Sequence, residues 1–288
     1  MAAAAGVPVA AADQASASAT ASASASAVSE GQPGRLTAAQ LTAGLTACTE
    51  VLAALASQPD LSTPIPTCPE WTMRELCIHI ARAHRWAAAI TSTRAQQPIP
   101  FREVPDGKLP AEPAERGEWL RAGAARLTDA VAEAGADPVW TFSGPQPSVF
   151  WLRRMAHETA VHRADADVAT GTPTELDPVL AADGIDEWLM DMSSIAWEGN
   201  DQRLRALPEG KSIHVHVTDP GVAGEWTLRS EPGVITAQRG HARADVALRG
   251  PATSLLLVLM RRAPVTGSGA EVLGDPAILD GWLDVVRF

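Results

Sequence analysis

Phe150-Trp151-Leu152-Arg153-Arg154-Met155-Ala156-His157-Glu158-Thr159-Ala160-Val161-His162-Arg163-Ala164-Asp165 decides how the rest of the chain is read. Its periodicity predicts a helix from about Val149 to Ala169, ending before Gly171-Thr172-Pro173. On a helix, Glu158 and His162 stand at i and i+4, one above the other on the same face. Met155 and Asp165 share that face, and Trp151 lies two turns back along it. The face is therefore partly apolar, where an uncompensated carboxylate is costly. His157 is five residues from His162, so the two side chains diverge.

Upstream, Leu36 to Gln58 carries Leu41, Leu45, Leu52 and Leu55 near helical repeats. A Pro- and Thr-rich turn (Ser62 to Pro69) leads into Thr72-Met73-Arg74-Glu75, a capping box that opens a helix to about Ile90. A Pro/Gly-rich loop, Pro98 to Pro113, precedes a third helix, Ala114 to Ala134, with Trp119, Leu120, Leu127 and Val131. Four helices of similar length with turns between them predict a bundle. His79 sits on the second helix three residues after Leu76 and four before Ala83, beside the apolar stripe, whereas His84 points elsewhere. His79, Glu158 and His162 thus form a candidate metal-ligand set. Two histidines and a carboxylate suit Zn, Fe(II) or Ni(II), and three protein ligands leave positions open for water or substrate. Hydrogen-bonded core histidines and surface Glu/His pairs share these spacings, so spacing alone does not separate the readings.

Downstream, Leu176 to Met192 predicts a further helix with Asp177 as N-cap and Pro178 at its first position. Beyond Asn200 the period changes to two. Ile213, Val215 and Val217 alternate with His214 and His216, and Glu225–Arg229, Val234–Gln238 and Ala244–Leu248 are strand-like. Helices are expected at Ala252–Arg262 and Pro276–Val286. The expected class is α+β in two domains: a disordered tail over 1–34, a metal-binding four-helix bundle over 35–198 and a smaller α+β domain over 199–288. His214 and His216 share a strand face and are able to bind metal; a solvent-facing surface is the simpler expectation.

The bulk numbers exclude other classes. Across 288 residues, 34 Asp plus Glu stand against 23 Lys plus Arg, a formal charge of −11 that repels nucleic acid and anionic lipid. An apolar run such as Leu255–Met260 is far too short to span a bilayer. Met1 to about Gly34 is nearly all Ala, Ser and small polar residues, unable to bury enough surface to fold. Cys48, Cys68 and Cys77 form no C-x-x-C pair, which fits a reducing, cytoplasmic compartment.

Pro66-Thr67-Cys68-Pro69-Glu70-Trp71-Thr72-Met73-Arg74-Glu75-Leu76 through His79, with Arg82 and His84-Arg85-Trp86, resembles the start of the mycothiol-dependent maleylpyruvate isomerase family. Phe150 to Asp165 resembles the same family and is the most specific part of a likeness covering about residues 36 to 286. The resemblance implies a DinB-like four-helix bundle that binds a divalent metal, usually zinc, and a sterol-carrier-like C-terminal domain. It places the family's ligands on His79, Glu158 and His162 and implies mycothiol as thiol cosubstrate. Ala164 departs from the aromatic residue common in the family after the fourth-helix His-Arg. The family's basic substrate contact from the C-terminal domain has Arg243 and Arg249 as candidates here, with an ordinary surface role the alternative; Arg82, Arg153 and Arg154 are candidates either to orient substrate carboxylates or to form solvated salt bridges. Such a site implies S-transfer to a small electrophile or thiol-assisted isomerisation; the alternative is a non-catalytic small-molecule carrier. None of the three cysteines adjoins a histidine in sequence, so an external thiol is the expected nucleophile.

Overall fold

The computed structural model describes residues 35–192 and 206–285; the tail expected over 1–34 lies outside them. Helix α1 (Ala38–Ala56) starts at a capping box in which the Thr37 hydroxyl accepts from the Gln40 amide and the Gln40 side chain accepts from Thr37. Helix α2 (Met73–Ser92) starts where expected, with the Glu75 carboxylate accepting from the Thr72 amide at 3.0 Å. Helix α3 (Pro113–Ala134) has proline in its first turn and ends at Gly135, and α4 (Val149–Thr170) ends at Gly171 in the left-handed region. A two-residue hairpin, β1 (Pro138–Val139) with β2 (Gln146–Pro147), joins α3 to α4.

The four helices bury Leu45, Leu127, Trp151 and Leu152 in a core that continues into the C-terminal part through Ile185, Trp188, Leu256 and Trp282. Among the described residues, α1 is the one helix long and apolar enough to cross a membrane by length and composition. Its leucines at 41, 45 and 52 face the bundle interior. The 61–72 turn folds back on itself: Ile65 donates to the Trp71 carbonyl at 2.9 Å, and Pro64 bridges Thr72. That fold sets Thr67, Cys68 and Trp71 against the bundle.

Asp177 caps α5 (Pro178–Asp186), accepting from the Val179 amide at 2.8 Å, and a π-helical segment, Glu187–Met192, continues it. The C-terminal sheet runs β5-β4-β3-β6-β7: β3 (Ser212–Val217), β4 (Glu225–Glu231), β5 (Val234–Arg239), β6 (Val246–Gly250) and β7 (Glu271–Gly274). β3 and β6 are parallel and the other pairs antiparallel. Helices α6 (Ala252–Leu259) and α7 (Pro276–Val285) complete it.

Three local expectations need correction. The fourth strand begins at Val246, not Ala244, because Asp245 turns its carboxylate onto the Ser212 amide and hydroxyl at 2.9 and 2.7 Å. Helix α6 stops at Leu259 rather than Arg262, since Arg261 adopts φ 58° and Pro264 follows. Strand β7 was not anticipated, as four residues ending in glycine carry too little pattern.

Candidate metal centre

Helices α2 and α4 bring His79, Glu158 and His162 together. His79 Nε2 lies 3.0 Å and His162 Nε2 3.4 Å from Glu158 Oε1, and the three donor atoms fall within 4.8 Å of one another. Both rings lie against Trp71, at centroid distances of 4.9 Å from His79 and 5.5 Å from His162. The Trp71 side chain therefore forms a wall of the site and also packs in the apolar cluster of Leu52, Ile65, Leu76 and Leu120. Side chains of Glu158 and His162 are 1% exposed and that of His79 is 14%, so access to the cluster is from the His79 side.

The surrounding residues orient the three. Asp165, one turn beyond His162, has its Oδ2 2.8 Å from His162 Nδ1, which directs Nε2 toward Glu158. Thr67 donates to Asp165 Oδ1 at 2.5 Å, and Arg262 from the segment after α6 donates to both Asp165 oxygens, at 3.0 and 3.3 Å. On the other side Arg154 donates to Glu158 Oε2 at 2.9 Å and also pairs with Glu187 of the π-helical segment. One oxygen of Glu158 is thus held by a guanidinium while the other faces the two imidazoles.

Burial raises the Glu158 pKa, but hydrogen bonds from His162 and His79 and the charge of Arg154 outweigh it and hold the carboxyl well below its usual range. Burial alone would lower His162; its bonds to Asp165 and Glu158 raise it to about 9. Burial also opposes ionisation of Asp165, yet His162 and Arg262 keep it at about 2. His79 is lowered, chiefly by burial. An ionised carboxylate between two imidazoles, one tethered by a second carboxylate, is a donor set that fits a divalent cation.

His84 and His157 point elsewhere, as expected. His84 Nε2 is 2.8 Å from the Thr159 hydroxyl, and burial drives its pKa to about 3. His157 Nε2 is 2.7 Å from Asp183 Oδ2.

Arg153 and Arg154 take the salt-bridge role, buried and not solvated. Arg154 is buried on Glu158 and Glu187, so it orients a candidate ligand instead of facing a substrate groove. Arg153 is buried among Asp183, Asp186 and Asp191, at 2.9, 2.9 and 2.7 Å. Arg249 pairs with Glu271, its cross-strand partner on β7, at 3.4 Å, and it is Arg262 that reaches the bundle site from the C-terminal part. Arg82 is half-buried, with its guanidinium 4.7 Å above the Phe101 ring, and lines an open groove of about 1040 Å³ with Arg85, Arg102 and Lys108. Ala164 is fully buried, so the position where the family carries an aromatic residue faces the interior.

Comparisons with known proteins converge on one family. A family model described as the mycothiol maleylpyruvate isomerase N-terminal domain matches residues 41–167, and one described as the MDMPI C-terminal domain matches residues 179–281. The crystal structure of a mycothiol-dependent maleylpyruvate isomerase aligns over 82% of this chain and 93% of its own, at TM-score 0.54 and 17% identity. The structure of a histidine-to-alanine variant of such an enzyme aligns over the same shares at TM-score 0.54 and 15% identity. At these identities the structural likeness speaks for the fold. No curated protein matches the chain in sequence.

Proposed function

The chain belongs to the mycothiol maleylpyruvate isomerase family, and from that premise we propose that it is a metal-dependent enzyme that activates a low-molecular-weight thiol, mycothiol, for reaction with a small electrophile. His79, Glu158 and His162 would hold one divalent cation, with zinc the best match to two imidazoles and a carboxylate. The carrying observation is the convergence of these donors from two helices on one ionised oxygen of Glu158. A cation there supplies the positive charge that lowers the pKa of a bound thiol from its ordinary value near 8.5.

The chain's own residues do the rest. Asp165 holds the His162 ring in the tautomer and orientation that turn Nε2 to the cluster, and Arg262 and Thr67 hold Asp165. Arg154 keeps Glu158 Oε2 occupied, so that Oε1 is the oxygen offered. Trp71 covers the imidazoles and keeps water from that side, which strengthens every charge interaction inside. Thiol and electrophile would approach past His79, the most exposed of the three. Arg82, one turn further along α2, is the candidate to orient the electrophile's carboxylate. Double-bond isomerisation by thiol addition, rotation and elimination, and S-transfer without elimination, both fit this set. All three cysteines are free, in keeping with a cytoplasmic site of action.

Titrating zinc-loaded protein with mycothiol tests the reading. Sulfur should join the metal's ligands, detected by X-ray absorption, and Glu158→Ala should lose both the bundle metal and the thiol dependence of turnover. A carrier would hold its metal, if any, without change when thiol is added.

A further inference from the structure

A second histidine–carboxylate cluster lies on the C-terminal sheet, away from the bundle. Strand alternation puts His214 and His216 on one face of β3. The antiparallel register with β4 sets Glu225 directly opposite His216. Past the end of β5, Gly240 donates to the Glu225 carbonyl at 2.8 Å with φ +115°, a backbone conformation that glycine adopts without strain. That turn returns His241 to the same carboxylate.

Glu225 thus meets three imidazoles. His241 Nδ1 is 2.6 Å and His214 Nε2 3.2 Å from Oε2, and His216 Nδ1 is 3.6 Å from Oε1. One donor atom from each of the four residues falls within 4.8 Å of the others. Four donors about 2.0–2.1 Å from a tetrahedral ion stand roughly 3.4 Å apart, so side-chain rotation, with His216 and His241 the freer rings, brings this cluster to a closed shell. His214 is buried, while His216 and Glu225 are half-buried, so the cluster is rooted in the sheet and open at His241.

We infer that His214, His216, Glu225 and His241 form a second transition-metal site, independent of the bundle, that takes Zn2+ and cross-links β3, β4 and the segment after β5. Four protein ligands complete a tetrahedral sphere, so this ion braces the sheet and leaves no position for a substrate. The imidazole-rich set favours zinc, nickel or copper over calcium or magnesium.

Elemental analysis of full-length protein, stripped with chelator, reloaded with Zn2+ and desalted, tests the site. Two equivalents per chain are expected. The double change His216→Ala, His241→Ala touches one half-buried and one exposed position and should leave one equivalent with the circular dichroism unchanged. The double change His79→Ala, His162→Ala should also leave one, and in that background Co2+ should bind at one equivalent with the visible absorption of a tetrahedral ion. Should that variant not fold, Glu225→Gln in the otherwise unaltered chain must lower zinc content by one equivalent. A wild-type zinc content that survives the change at 216 and 241 overturns the inference. So does a folded bundle variant that binds no metal. A single equivalent that is lost on changing 216 and 241 and kept on changing 79 and 162 would uphold the sheet site and remove the bundle one.

Discussion

Two faces of α4 carry the same chemistry to opposite ends. On one, His157 and Arg153 meet Asp183, Asp186 and Asp191, and the Arg153 guanidinium bonds all three carboxylates. Asp186 also takes bonds from Trp226 and Arg239 of the sheet, at 2.9 and 2.5 Å, so the cluster ties bundle to C-terminal domain. Gly184 permits the approach, since a Cβ there would stand 3.1 Å from His157 Nδ1. On the other face, Glu158 and His162 meet His79, and the guanidinium of Arg154, which also pairs with Glu187, takes one of the two Glu158 oxygens. Buried carboxylates need a compensating cation. A covalently attached one makes the first cluster a permanent joint. The second leaves one carboxylate oxygen among imidazoles, which suits a cation that can be exchanged.

The largest expected effect falls on the joint. Arg153→Ala takes the guanidinium from buried Asp183, leaving it His157 alone, and removes one of the two cations on Asp186, so it should cost about 3–5 kcal/mol, read from the urea midpoint. Zinc bound per folded chain should not change. A loss below about 1 kcal/mol, the range of an exposed pair, would mean that the joint is not what holds the two parts together.

Metal content gives the opposite test. Glu158→Ala and His162→Ala should each lose one equivalent, while His157→Ala and His84→Ala should lose none despite their places on the same two helices. Retention of full zinc in His162→Ala would reassign the site. Because the proton on His162, with its pKa near 9 in the metal-free chain, competes with the ion, zinc affinity should climb from pH 6 to 9.

That contrast was only half legible in the sequence. Helical periodicity is a local property, so the spacing of Glu158, His162 and His79 could be read before any fold was known. The i+3 neighbour Asp165 was seen to share their face, but its bond to His162 Nδ1 depends on a rotamer that spacing does not specify. Arg262 and Asp165 are 97 residues apart, and Arg153 and Asp183 are 30 apart; no periodicity connects such pairs. For that reason arginines that bind internal carboxylates were open to being read as substrate contacts. The sheet cluster is legible only in part: the alternation of His214 and His216 shows two possible ligands, whereas Glu225 and His241 reach them only through the strand register.

A pH scan sharpens the comparison further. Depressed carboxylates such as Asp165, at about 2, contribute stability above pH 4 that is lost as pH falls toward 2, and Asp183 behaves likewise. His84 acts earlier. Its folded pKa of about 3 lies below the usual 6.5, so the unfolded chain binds a proton that the folded chain refuses. Stability should therefore fall as pH drops below 6.5, approaching about 1.4 kcal/mol per pH unit. His84→Gln, which keeps a partner for Thr159, should flatten that slope between pH 6 and 4. Equal slopes in the two proteins would show that His84 is not held neutral.

The smallest expected effect is none, and it concerns Cys68. Its Sγ lies 3.8 Å from Asp165 Oδ2, and Cys68, His162 and Asp165 form an alternative ligand group beside the proposed one. A thiolate there would be a soft ligand or a protein nucleophile, and either role would change the account of the bundle face. The surroundings oppose both. Burial, and then the charge of Asp165, push the thiol up to about 11, so at neutral pH it is protonated and donates to the carboxylate. Cys48 and Cys77 are buried, with thiols raised to about 11 and about 12. His162, moreover, has Nδ1 committed to Asp165, leaving Nε2 on the side of Glu158 and His79. A Cys68→Ser variant should accordingly keep its zinc content, and its thiol-dependent turnover should stay within about twofold of wild type; that span corresponds to about 0.4 kcal/mol in the barrier. If serine at 68 removes one equivalent of zinc, the ligand set is Cys68, His162 and Asp165, and His79 returns to an ordinary buried imidazole. If zinc stays and turnover disappears, the nucleophile belongs to the protein and the external-thiol mechanism is wrong.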